Sequence, residues 1–130
     1  MIRAYFDSSA IMKLTRDEPE SMALIDYLEE ASLEVSTSVL AEVEVVRNLR
    51  KLPLESDQAL AGFYLLALDD EVRRNAISIG HASLRSLDAI HVATALAVGD
   101  RDLQFVTYDQ RQADAARAAG LKVVQPGRSS

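Results

Sequence analysis

The chain opens with an apolar run, Ala4-Tyr5-Phe6, that stops at Asp7; two serines follow, and Ile11, Met12 and Leu14 then recur at helical spacing. This pattern predicts a buried β-strand over Arg3–Asp7 with a carboxylate at its C-terminal tip, and a short helix over Ser8–Leu14. Asp17-Glu18-Pro19 has the form of an acidic helix start, and Met22, Ile25 and Leu28 share one face of a helix over Ser21–Ala31. Leu33–Thr37 is a second strand. Ser38–Leu52 follows as a helix whose apolar stripe runs Val39, Val43, Val46 and Leu49, ended by Pro53. A helix over Glu55–Leu66 turns Leu60, Phe63 and Tyr64 inward, a short strand covers Leu66–Leu68, and Glu71–Ile79 is a helix before Gly80.

Ser86–Val98 is apolar nearly all round, which marks a central buried helix stopped by Gly99. Leu103–Thr107 is a strand, Asp109–Ala119 an alanine-rich helix closed by Gly120, and Leu121–Val124 a last strand before a loose tail. Strands alternating with helices predict a parallel sheet with helices on both faces. In such sheets ligands sit at the C-terminal strand tips, where Asp7 stands.

The 130 residues show no repeat, low-complexity tract or linker, so a single domain over 1–125 with a flexible tail at 126–130 is expected. Hydrophobic residues at 48% and charged residues at 26% are ordinary for a globular protein. The absence of cysteine removes disulfides, thiolate metal sites and thiol nucleophiles from consideration. Asp7 interrupts the first apolar segment, and Ala89–Val98 is too short to span a bilayer, so no membrane role and a cytoplasmic location are expected. The formal charge of −6 argues against a general basic nucleic-acid face. Metal ions in a carboxylate cluster would reverse that sign locally.

The candidate cluster is Asp7, Glu42, Asp88 and Asp109. Three of these have a plain alternative: Asp7 and Asp109 each stand where a strand meets a helix and can be N-caps, and Asp88 lies in a first turn behind Ser86. Glu42 is placed by helical spacing beside Val39, Val45, Val46 and Leu49, within the predicted apolar stripe, whereas Glu44 is expected to face water. A carboxylate in an apolar face needs a cationic partner, an arginine or a metal, because its desolvation costs several kcal/mol. Acids that converge oppose one another's ionisation unless cations join them. Mg²⁺ or Mn²⁺, which favour oxygen ligands, answer that requirement, and a pair of such ions suits phosphodiester cleavage.

His91 shares a face with Asp88, where a hydrogen-bonded core histidine is the commoner role than a metal ligand. Ser8 and Thr107 are candidates either for binding a phosphate oxygen or metal-bound water or for satisfying backbone groups. Arg47, Arg50 and Lys51 cluster at a helix end, where cations are stabilising in any case. Five scattered glycines leave no dinucleotide loop or P-loop, and there is no serine elbow. An aspartate-nucleophile phosphatase would want an acid at Ser9, and a metal-dependent adhesion site a serine at Ile11.

The segments YFDSSAIMKL, SVLAEVEV, LRSLDAIHVATA and FVTYDQRQADAARAAGLKVV, in this order and spacing, resemble the PIN domain, specifically the VapC-type toxins of prokaryotic toxin–antitoxin systems. The resemblance implies a three-layer α/β/α sandwich with a central parallel sheet and an acidic pocket for Mg²⁺ or Mn²⁺. It implies a metal-dependent endoribonuclease acting on tRNA or rRNA, neutralised by a small cognate antitoxin, and a homodimer. Asp7, Glu42, Asp88 and Asp109 match the family's acids, with Asp7, Asp88 and Asp109 as metal ligands and Glu42 completing the shell or orienting water. Ser8 and Thr107 match its supporting hydroxyls. The alternatives are a non-catalytic PIN-like module that binds an antitoxin or scaffolds a complex, and a nuclease acting on DNA.

Overall fold

An extended apolar run with no proline or glycine goes to the middle of the sheet: Ile2–Phe6 is β1, and its Ala4, Tyr5 and Phe6 are fully buried. The structure, a computed structural model, describes residues 1–30 and 32–128. After β1 come α1 (Ser8–Lys13), α2 (Ser21–Glu30), β2 (Leu33–Ser38), α3 (Val39–Asn48), α4 (Pro53–Leu60) and β3 (Tyr64–Leu66). The chain continues through α5 (Asp70–Ser78), α6 (Ser86–Ala97), β4 (Gln104–Val106), α7 (Gln110–Ala118) and β5 (Lys122–Val124).

All neighbouring strands are parallel, in the order β3-β2-β1-β4-β5. The chain leaves β1 toward β2 and β3, then returns to add β4 on the other side of β1. The switch point, where parallel sheets open a crevice at the strand tips, therefore lies between β1 and β4.

Side chains alternate across the sheet. Ala4 and Phe6 face one layer, packing with Ile11 of α1, Leu24 of α2, Ala41 and Val45 of α3, and Ala59 of α4. Tyr5 faces the other, with Val92 and Ala95 of α6, Ala116 of α7 and Phe105 of β4. Phe6 meets Phe63 edge-on at 5.0 Å, while Tyr5 stacks on Phe105 at 5.3 Å. Full burial of an aromatic side chain stabilises by about 1.5–3 kcal/mol, so β1 ties both helical layers to the sheet. The α/β/α sandwich is the predicted one. Among the described residues no helix is long and apolar enough to cross a membrane.

Three predicted elements differ. The helix expected over Glu55–Leu66 is shorter: α4 ends at Leu60, a turn follows through Gly62, and Tyr64–Leu66 pairs with Ser36–Ser38 as the edge strand β3. Tyr64 is therefore 64% exposed rather than turned inward, and the short strand lies two residues before its predicted start. Pairing with β2 satisfies backbone groups that a helix broken at Gly62 would leave open. Pro53 starts α4 at a first-turn position, where its missing N–H is harmless, beyond an α3 that has already ended at Asn48.

The third difference is the phase of α3. Its buried face is Ala41, Val45 and Leu49, whereas Val43 and Val46 of the predicted stripe are 51% and 42% exposed. Small Ala41 lets the helix approach the sheet and α1 closely, a packing choice that four surrounding valines conceal. The described part of the tail makes side-chain contacts with the body of the domain. Pro126 accepts a hydrogen bond from the Tyr108 hydroxyl, and Arg128 donates to the Tyr108 carbonyl while pairing with Glu20. Residues 129–130, and position 31 at the predicted end of the second helix, lie outside the described residues.

Candidate active site

The tips of β1 and β4 are laced together by hydroxyls. Asp7 is the N-cap of α1 and accepts from the Ala10 amide at 3.0 Å. Ser9 Oγ donates to the same oxygen at 2.7 Å, and Thr107 Oγ1 donates to the other at 2.5 Å. Ser9 Oγ in turn accepts from the Tyr108 amide, and Thr107 Oγ1 from the Asp109 amide. Asp109 is the N-cap of α7, accepting from the Arg111 and Gln112 amides. The capping roles open to Asp7 and Asp109 in the sequence are thus both real. They leave acceptor capacity over, since each carboxylate has about four lone-pair sites.

α6 supplies the third acid. Asp88 lies in its first turn, and Arg85 holds the N-cap position without a side-chain capping bond. Asp88 Oδ2 is buried with no hydrogen-bond partner among the described residues. Asp7, Asp88 and Asp109 line one pocket of about 350 Å³, together with Ser8, Ser9, Glu44, Arg85, Ser86, Leu87 and His91.

Glu42 is not in that lining; the acid α3 contributes is Glu44. The expectation placed Glu42 there, and the difference in lining follows from the helix phase described above. With Ala41, Val45 and Leu49 turned to the core, Glu44 falls on the flank toward the pocket and Glu42 on the opposite flank. Ser8 Oγ donates to Glu44 Oε1 at 2.6 Å, so Ser8 serves this acid rather than Asp7. Sequence reasoning also missed Ser9 as the hydroxyl on Asp7, and Arg85. A stripe drawn through Ala41, Val45 and Leu49 would have found Glu44. His91 is a buried, hydrogen-bonded histidine: Nδ1 lies 2.6 Å from Tyr5 Oη, and Nε2 3.3 Å from Glu44 Oε1.

The electrostatics separate the acids. Burial pushes the Asp7 carboxyl above the usual carboxylate range, against the opposing hydrogen bonds from Thr107 and Ser9. Burial and then the charge of Asp109 push Asp88 up, partly offset by Arg85. The hydrogen bond from His91 holds Glu44 below its ordinary value despite its partial burial. Glu44 is the acid held most firmly ionised of these three.

Among the described residues no three His, Asp or Glu side chains converge as a ready chelating cluster. The donor set still fits a hard divalent cation. It is all oxygen, its negative charge is concentrated, and Asp88 Oδ2 is a buried carboxylate oxygen in want of a partner. Mg²⁺ usually takes only one or two protein carboxylates and keeps several waters, so a closed trio is not required.

The PIN domain family matches residues 4–118. Ribonuclease VapC35 of Mycobacterium tuberculosis is 41% identical over 132 residues, spanning 96% of this chain and 98% of that protein. Ribonuclease VapC46 of the same species is 42% identical over 130 residues, covering 97% and 99%. Among solved structures, a toxin–antitoxin complex from Klebsiella pneumoniae aligns with a TM-score of 0.75 at 21% identity over 98% of this chain and 99% of that one. Mycobacterium tuberculosis VapC20, described as a sarcin–ricin loop cleaving toxin, aligns with a TM-score of 0.72 at 15% identity over 95% and 99%. At these identities the structural likenesses concern the fold. With its parallel sheet, its acids gathered at the switch point and full-length relatives above 40% identity, the chain belongs to the PIN-domain family and, within it, to the VapC proteins.

Proposed function

We propose that this protein is a metal-dependent endoribonuclease, the toxin of a toxin–antitoxin pair, using Mg²⁺ or Mn²⁺ held by Asp7, Asp88 and Asp109, with Glu44 as the fourth acid. The observation that carries the reading is one pocket lined by all four acids, in which Asp88 Oδ2 is buried with no hydrogen-bond partner among the described residues. That the curated relatives are named ribonucleases over nearly their full length supports RNA as the substrate, tRNA or rRNA in this family. Similarity to a toxin–antitoxin complex supports a small protein antitoxin as partner. A homodimer and a cytoplasmic place of action complete the proposal.

A bound ion supplies Lewis-acid stabilisation of phosphoryl oxygens and lowers the pKa of water. The chain's own residues do the rest. Ser9 and Thr107 fix Asp7; Glu44, held ionised, is able to accept a proton from an attacking water; and Arg85, in the same lining, supplies a cation for a backbone phosphate.

Cleavage of total RNA in Mg²⁺ or Mn²⁺ tests this. Asp7→Asn and Glu44→Gln are expected to lose about 100-fold or more of the activity, while Glu42→Gln cleaves like the wild type. Unchanged cleavage by Asp7→Asn would overturn the assignment. The rival non-catalytic module has one observation in its favour, that Asp7 and Asp109 both cap helices. Thermal unfolding separates the two: Mn²⁺ raises the melting temperature if the acids hold metal, and leaves it unmoved if they only cap.

A further inference from the structure

Beneath the pocket runs a buried polar chain that capping does not explain. Tyr5 lies in the central strand, fully buried and stacked on Phe105, yet its hydroxyl is spent on His91. His91 is 3% exposed on the inner face of α6, beside Ala89, Val92 and Ala95, where a leucine would pack without needing partners. Both polar groups carry a desolvation penalty, so their pairing calls for an account.

A neutral His91 that accepts at Nδ1 from the Tyr5 phenol, 2.6 Å away, carries its ring proton on Nε2. Nε2 is then a donor toward Glu44 Oε1, 3.3 Å away, and Ser8 Oγ donates to that same oxygen at 2.6 Å. Two donors from different elements thus converge on Oε1, and neither claims Oε2. A glutamate has three rotatable side-chain bonds, and on this half-buried helix flank Ser8 and His91 together hold Glu44 in one orientation.

We propose that His91, its tautomer set by Tyr5, is a positioning residue that pins Oε1 of Glu44 so that Oε2 is presented to the metal and water of the site. The inference rests on the nuclease reading above and deepens it. It accounts for two buried polar residues, in β1 and α6, by the needs of a third in α3. Partners of this kind behind a metal site typically change metal affinity or activity by about 10- to 100-fold when removed.

Calorimetric Mn²⁺ titration of the full chain, alongside RNA cleavage and thermal unfolding, tests it. His91→Phe keeps the ring volume and the edge-on contact with Tyr5, whose centroid is 5.8 Å away, but removes the donor. It is expected to weaken Mn²⁺ binding about tenfold and lower kcat by a similar factor with KM unchanged. His91→Gln carries an N–H able to reach toward Glu44 and restores most of both, even though it packs worse and melts lower. A merely structural histidine predicts the opposite ranking. In a Glu44→Gln background, His91→Phe causes no further loss of Mn²⁺ affinity. Tyr5→Phe, which removes only the hydroxyl, gives a smaller loss than His91→Phe. Wild-type Mn²⁺ affinity in His91→Phe, or a glutamine variant that binds more weakly than phenylalanine, overturns the inference and leaves the nuclease reading standing. A wild-type chain that neither binds Mn²⁺ nor cleaves RNA overturns both.

Discussion

Thr107→Val removes a hydroxyl while keeping the shape of a fully buried side chain, so no cavity confounds the result. Thr107 Oγ1 donates to the Asp7 carboxylate at 2.5 Å and accepts from the Asp109 amide at 3.1 Å. A hydrogen bond to a charged group contributes about 1.5–3 kcal/mol, and an amide left without its acceptor adds about 1 kcal/mol. The expected destabilisation at neutral pH is therefore about 2.5–4 kcal/mol, a large part of the 5–15 kcal/mol typical of a domain. The effect is tied to pH through Asp7. Burial places its folded-state carboxyl above the unfolded value, so the folded form holds its proton more readily. The resulting penalty is fully present above the folded value and is relieved as pH falls through it toward the ordinary carboxylate range. Thr107 opposes that upward shift, so valine pushes Asp7 higher still. The deficit of the variant should be largest at neutral pH and shrink with acidification. Urea unfolding of metal-free protein at neutral and acid pH, repeated in an Asp7→Asn background, measures this. A loss below about 0.5 kcal/mol, or one independent of both pH and Asp7, would refute the reasoning.

Two further outcomes concern Gln112 in the buried face of α7 and Arg85 at the pocket. Gln112 is 1% exposed, and neither atom of its amide has a partner among the described residues. Gln112→Met is thus expected to raise stability to urea by about 1–2 kcal/mol, and a loss would mean that the amide is satisfied after all. Arg85 lines the pocket and makes no ion pair among the described residues. Arg85→Gln should weaken binding of a mixed-sequence single-stranded RNA and reduce the slope of log affinity against log salt by about 0.7, the value for one phosphate contact. An unchanged slope shows that Arg85 meets no phosphate.

What was legible in the residue order was whatever depends on near neighbours. Alternation of strand and helix, the buried run ending in Asp7, the apolar Ser86–Ala97 helix and the acids at helix starts all follow from periods of about two or 3.6 residues and from capping, which act within a single turn. Other features had no local signal. Periodicity allows α3 either of two apolar stripes, and only the approach of Ala41 to the sheet and α1 selects the one that sends Glu44, not Glu42, to the pocket. Tyr64–Leu66 became a strand because β2 offered an open edge beside it. Thr107 finds Asp7 across 100 positions, and Tyr5 finds His91 across 86. Such meetings depend on strand order and helix phase, which arise from competition among all the packed faces at once. Short-range patterning limits the candidates for the site; the orientation of each element against the others decides which carboxylates share it.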